Sequence, residues 1–196
     1  MELGNIDVTA MIRRAVRAAA LETAVYEEAE ANVNLNQEAL AVVILVSLAN
    51  GIGLFLSGLL GGSVGAAIGG LVFGLIIGVL GYYLWAYITY WVGTSLFQGT
   101  ADVGELLRTL GYASSPRVLG ILTFIPCLGG LAGFIGSIWA LVTGVIAVRQ
   151  ALDFDTGKAI LTVIIGWIIV LIITVILGAA LGIGAVGIGV LSGRLR

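Results

Sequence analysis

Residues Ala39 to Ala101 read ALAVVILVSLANGIGLFLSGLLGGSVGAAIGGLVFGLIIGVLGYYLWAYITYWVGTSLFQGTA, and none of these 63 side chains is charged. The hydrocarbon core of a bilayer is about 30 Å thick and is spanned by roughly 20 apolar residues of helix. At about 1.5 Å per residue, an unbroken helix of this stretch would extend to about 95 Å. The stretch is therefore expected to cross a membrane more than once.

Two further stretches without charge follow, from Val118 to Val148 and from Ala159 to Gly193. The composition agrees with a membrane environment, since 60% of the residues are hydrophobic and only 10% are charged. The mean hydropathy is +1.15. These values predict an all-α polytopic membrane protein.

The apolar stretches are interrupted by glycine pairs and by short polar loops, which predicts a bundle of five transmembrane helices. Residues 1–38 would form a cytoplasmic amphipathic segment and residues 39–196 the transmembrane domain. From Arg117 to Pro126 a helix would reach only about 15 Å. The third span therefore either begins near Tyr112, with Arg117 snorkelling outward, or stays short and kinked at Pro126. After Leu177 the glycine-rich tail either extends the fifth span or loops back. The predicted spans cover about 39–60, 64–97, 112–128, 131–149 and 158–180.

The segment from Asp7 to about Ala31 predicts an amphipathic helix that lies on the membrane surface. Arg13, Arg14 and Arg17 would contact lipid head groups from this helix. The second half of the segment is acidic. It is interpreted as a solvated face, with a docking site for a partner or a loosely held cation as the alternative.

The distribution of positive charge predicts the orientation in the membrane. With five spans, seven of the nine arginines and lysines, and all eleven acids, fall on one side. The positive-inside rule makes this side cytoplasmic. We therefore expect a multi-pass protein of the cell membrane with a cytoplasmic amino terminus. The seven positive residues are Arg13, Arg14, Arg17, Arg108, Arg117, Arg149 and Lys158.

Two sets of small or polar residues stand out within the spans. Gly70, Gly74 and Gly78 repeat every fourth residue, which favours close approach of another helix. Packing within the chain is preferred here over a homodimer. Ser47 and Asn50 form a polar seam in the first span, where interhelical hydrogen bonding is the default and a transport path is the alternative.

The chain contains no histidine and only one cysteine, Cys127. The usual general base and the thiolate metal clusters are therefore missing, and neither an enzyme nor a cofactor nor a metal site is predicted. A net charge of −2 gives no positive electrostatic field that would attract nucleic acid, so nucleic-acid binding is not predicted. The expected partners are membrane lipids and, as further candidates, other membrane proteins or a second copy of the chain.

Three segments together resemble the Yip1 family of integral membrane proteins. They are Leu110 to Pro116, Phe124 to Pro126 with the following Gly129, Gly130 and Trp139, and Thr156 to Leu161. The resemblance implies five transmembrane helices with a cytoplasmic amino terminus. Eukaryotic members are associated with vesicle traffic and prenylated Rab GTPases. Those members carry an Asp-Leu-Tyr-Gly-Pro type motif in a longer leader, which this sequence lacks, so it looks like a prokaryotic member.

The leading hypothesis is a non-enzymatic membrane adaptor or organiser that acts through helix packing and contacts on its cytoplasmic face. The alternative is a small transporter or channel that uses the seam of Ser47 and Asn50.

Overall fold

The computed structural model of the chain describes residues 7–180, apart from the side chains of 174 and 177–180. These residues form helices and connecting turns with no β-strand, which confirms the all-α prediction. Two 3₁₀ stretches occur, a single turn at Val33–Leu35 and a longer one at Ser115–Phe124, called here the 3₁₀ segment. The α-helices are α1 Val8–Ala19, α2 Thr23–Ala31, α3 Asn36–Leu60, α4 Val64–Phe97, α5 Val103–Ala113, α6 Leu128–Ala151 and α7 Thr156–Ala180.

Four of these helices, α3, α4, α6 and α7, are long and apolar enough to cross a membrane. They correspond to the first, second, fourth and fifth predicted spans. Their outer faces expose large apolar side chains such as Ile76, Leu80 and Trp167. Such surfaces are compatible with a hydrocarbon solvent, which supports a multi-pass membrane protein. The choice between an extended and a returning tail concerns residues outside those described.

The third predicted span, 112–128, is not one helix. Its first residues end α5, and Ser115–Phe124 continues as the 3₁₀ segment before α6 begins at Leu128. Pro116 explains the change, because its ring disfavours the α conformation of the preceding residue and it supplies no N–H. Ten residues at about 2.0 Å each reach only about 20 Å. Together with the end of α5 they could still cross, so the five-span count stays a prediction.

α3 and α4 form a tight antiparallel hairpin. Gly62 takes a positive φ of 76° in the turn, and the Ser63 hydroxyl accepts a hydrogen bond from the Ala66 N–H at 3.2 Å. The helices then approach closely along the glycine stripe. A Cβ added at Gly74 would lie 2.6 Å from the Cα of Gly51, and one at Gly70 would lie 2.9 Å from Leu54 Cβ. Gly78 lies equally close to Ser47, so all three stripe glycines face α3 of the same chain.

The amino-terminal segment folds as two helices instead of the one predicted over Asp7 to Ala31. Leu21 adopts a left-handed backbone with φ 65°, and the Glu22 N–H donates a hydrogen bond to the Arg17 carbonyl at 3.1 Å. The chain thus turns between the two helices. We call α1 and α2 together the N-terminal layer. This layer lies across one end of the bundle and contacts α3, α5, α6 and the 3₁₀ segment. α5 lies beneath it, and seven of its eleven residues are buried.

Candidate functional site

Charged side chains concentrate where the N-terminal layer meets the bundle. The Arg14 guanidinium donates to Glu28 Oε1 at 2.8 Å and to both carboxylate oxygens of Glu38 at 2.9 and 3.1 Å. The Tyr112 hydroxyl donates to Glu38 Oε1 at 2.6 Å. These four residues, the Arg14 network, join α1, α2, α3 and α5. They connect parts of the sequence that are up to 98 positions apart.

The Arg14 network contributes to the stability of the fold because its Glu38 carboxylate is buried. Glu38 is only 7% exposed, and a buried carboxylate is tolerated only when it is paired and hydrogen-bonded. Burial by itself lowers the pKa of Arg14, but its hydrogen bonds and attraction to Glu28 and Glu38 outweigh that effect and raise it. Arg14 therefore stays charged, and removing either partner would leave an uncompensated charge beneath the layer.

Arg108 provides a second connection between the layer and the bundle. Its side chain is 3% exposed and donates to the carbonyls of Ala29 at 2.7 Å and Glu30 at 2.5 Å, and to Asn36 Oδ1 at 3.1 Å. The carbonyls in the last turn of a helix lack intrahelical partners and carry partial negative charge. Arg108 thus caps α2 from below. This role was not predicted from the sequence, although a lone arginine among the leucines of α5 was a visible signal.

Three further hydrogen bonds fasten the layer at its edges. The Ser115 hydroxyl donates to the Ala15 carbonyl at 2.9 Å, and the Trp139 indole N–H donates to the Ala19 carbonyl at 2.8 Å. The Gln150 amide donates to Glu27 Oε1 at 2.8 Å. With the two arginine connections, these bonds attach α1 and α2 to α5, α6 and the 3₁₀ segment.

The three arginines predicted to contact lipid head groups lie in different surroundings. Arg14 belongs to the buried network, and Arg17 forms a two-point pair with Glu22 at 2.7 and 2.8 Å. Arg13 is exposed, and within residues 7–180 its side chain has no hydrogen-bonding or ion-pair partner. Of these three arginines, Arg13 is therefore the one that is free for an external anion. Exposed apolar residues of α1 lie next to it, namely Val8, Ile12 and Val16.

Two of the cavities formed by the described residues lie beside the 3₁₀ segment. One, of about 390 Å³, is an almost wholly apolar cleft under α1, between Met11, Val42 and Trp139. The other, of about 210 Å³, lies between α3, α4 and the 3₁₀ segment and is called here the seam pocket. The predicted seam residues Ser47 and Asn50 both line this second cavity.

The seam pocket also contains Arg117, which sequence reasoning had placed at the membrane edge. The Asn50 amide donates to the carbonyls of Val46 at 2.7 Å and Arg117 at 3.1 Å. Asn50 thereby satisfies a backbone carbonyl of the irregular 3₁₀ segment and holds the Arg117 backbone against α3. The sequence offered a hint, because Arg117 stands only nine positions before Pro126 in an otherwise apolar stretch.

The outer surface near the layer is acidic. Burial raises the pKa of Glu30, and the neighbouring carboxylates of Asp153, Glu105 and Glu27 raise it further, against a smaller opposing effect of Arg108. Among the described residues, no group of three or more cysteines and carboxylates is arranged to hold a metal ion. The four carboxylates of Glu27, Glu30, Glu105 and Asp153 thus place negative charge at this end of the bundle.

A family model described as Yip1 domain matches residues 23–178 of the chain. The match begins at the first residue of α2 and ends within α7. It thus covers α2, the bundle helices, Arg108 and the seam pocket. Searches of curated proteins and of solved structures found no significant match.

Proposed function

Because this chain belongs to the Yip1 domain family, we propose that it is a non-enzymatic adaptor or organiser of other membrane components. The observation that carries this proposal is the attachment of the N-terminal layer to the bundle through the Arg14 network and Arg108. A layer held at several points presents a fixed surface, so a partner need not order it upon binding. Contacts would be made through the layer and through packing of the outer helix faces.

The proposed placement is a cell membrane, with the layer on the cytoplasmic side. Five crossings, the third made by the end of α5 and the 3₁₀ segment, would put the layer, Glu105 and Asp153 on the side that carries most arginines and lysines. The acidic surface around Glu30 favours a partner segment that is basic. Arg13 and the apolar face of α1 would rest on the lipid surface beside it.

A second candidate, a small transporter or channel, is favoured by one observation, namely the polar lining of the seam pocket. Against it, the Asn50 amide is already bonded to two backbone carbonyls, which is a structural role. Solute or ion flux into reconstituted vesicles that disappears in Asn50→Leu would favour transport. Absence of flux would leave the adaptor proposal in place.

The adaptor proposal is tested by crosslinking in native membranes followed by purification of the tagged chain. Wild type should repeatedly recover the same protein partner, and Arg108→Leu, which loosens the layer, should lose it. Leu60→Ala is the control, because Leu60 is exposed at the last residue of α3, in the turn at the end of the bundle opposite the layer. Failure to recover any recurrent partner, or equal recovery with Arg108→Leu, would contradict the proposal.

A further inference from the structure

An exposed arginine whose side chain has no partner among the described residues lines the seam pocket. Arg117 lines the pocket, yet within residues 7–180 its side chain makes no hydrogen bond or ion pair. Among the described residues, no carboxylate lines the pocket. By contrast, the side chains of Arg14, Arg17 and Arg108 each donate two or more hydrogen bonds. The positive charge of Arg117 is therefore available to a ligand.

The position of Arg117 along the bundle makes its charge informative. Its carbonyl accepts from Asn50, which lies about 21 Å along α3 from Asn36 and about 15 Å from Leu60. Arg117 is thus attached at the level of the middle of an apolar spanning helix. An arginine at this depth is costly and, where it occurs, marks a functional pathway or a ligand site.

The lining of the pocket indicates what the ligand carries. Near Arg117, the Ser47 hydroxyl makes no hydrogen bond to a described residue and offers a second donor. Farther out the pocket is bordered by Leu54, Phe73 and Ile77, which are exposed on the outer face of the α3–α4 hairpin. A ligand that enters past these residues comes from the hydrocarbon phase. An oxyanion attached to apolar chains fits both parts of the lining.

We propose that the seam pocket binds the phosphate of an anionic membrane lipid, with Arg117 as its charge partner and Ser47 as a second hydrogen-bond donor. Asn50 is a positioning residue, because its amide holds the Arg117 backbone and does not need to touch the lipid. The volume of about 210 Å³ accommodates a head-group phosphate while the acyl chains remain outside along α3 and α4. The inference goes beyond the adaptor role and does not depend on it.

The test measures lipid binding by the purified full-length chain in a neutral detergent. Thermal unfolding is followed while short-chain phosphatidylglycerol, short-chain phosphatidylcholine or inorganic phosphate is added. Wild type should be stabilised in a saturable manner by phosphatidylglycerol and much less by the other two additions. Arg117→Gln should weaken the apparent affinity for phosphatidylglycerol at least tenfold, equivalent to about 1.4 kcal/mol. Ser47→Ala should weaken it less.

Arg149→Gln is the matched control, because Arg149 is an exposed arginine outside the pocket. Equal loss of affinity in both arginine variants would mean diffuse attraction of anionic lipid and would overturn the proposal. Equal stabilisation by inorganic phosphate would overturn the assignment to a lipid, and no stabilisation by phosphatidylglycerol would overturn the site itself. Should Arg117→Gln not fold, Ser47→Ala decides, since an unchanged affinity in that variant would also refute the site.

Discussion

Replacing Arg108 by leucine should detach α2 from the bundle more than it disturbs the bundle itself. The substitution removes three hydrogen bonds from a charged donor, each worth about 1.5–3 kcal/mol, and leaves the carbonyls of Ala29 and Glu30 without partners. Their sum is an upper bound, because the variant no longer buries a charge. We expect a loss of about 3–5 kcal/mol in the stability of the layer.

Hydrogen exchange of the purified protein measures this effect locally. The amides of α2, which are protected while the layer is docked, should exchange at least a hundredfold faster in Arg108→Leu, since about 1.4 kcal/mol corresponds to a factor of ten. The amides in the middle of α6 should be little affected. Arg149→Leu is the control, because it removes an exposed arginine at the end of α6.

Unchanged protection of α2 in Arg108→Leu would refute the reasoning, because the capping bonds would then contribute nothing to docking. Equal acceleration throughout α2 and α6 would also contradict it. That result would show that the layer and the bundle unfold as one unit and that Arg108 stabilises the whole protein.

Three further predictions concern other residues. Gly74→Ile should destabilise the detergent-solubilised protein by about 1–3 kcal/mol or more through overpacking against α3, and should therefore lower its melting temperature. Gly74→Ala should have a milder effect. The control Gly69→Ile, where an added Cβ meets nothing within 4 Å, should change it little, and equal stability of all three would refute the packing. Tyr112→Phe should cost about 1.5–3 kcal/mol through the lost bond to Glu38, and an unchanged melting temperature would contradict that estimate. The pKa of Glu30 is raised in the folded protein, so its charge destabilises the fold above that pKa and this cost disappears as the pH falls through it. Glu30→Gln should therefore raise the melting temperature at pH 7, and this gain should shrink as the pH is lowered toward 4.5, the ordinary pKa of a glutamate. A gain that does not depend on pH would contradict the raised pKa of Glu30.

The membrane-spanning helices were predictable because their determinant is local. An uncharged run of 20 residues or more favours a spanning helix whatever its neighbours are, and α3, α4, α6 and α7 follow such runs. The spacing of Gly70, Gly74 and Gly78 indicated a close helix contact for the same reason. It did not identify the partner helix, which the structure places in the same chain.

The candidate sites were less predictable because they are assembled from distant residues. Arg108 and Ala29 are 79 positions apart, and nothing in either local sequence points to the other. The break at Leu21 depends on a left-handed backbone that leucine disfavours and that the docked layer imposes. The depth of Arg117 likewise follows from the 3₁₀ segment after Pro116, whereas the sequence suggested a side chain at the membrane edge.

The most direct test of the central claim, a fixed N-terminal layer on the cytoplasmic side, is cysteine labelling in intact cells. Single cysteines replace Ala24 in the layer or Leu60 at the opposite end of α3, both exposed, in a Cys127→Ser background. A membrane-impermeant thiol reagent should label Leu60→Cys from outside and should label Ala24→Cys only after lysis. Labelling of Ala24→Cys in intact cells would place the layer outside and contradict the account.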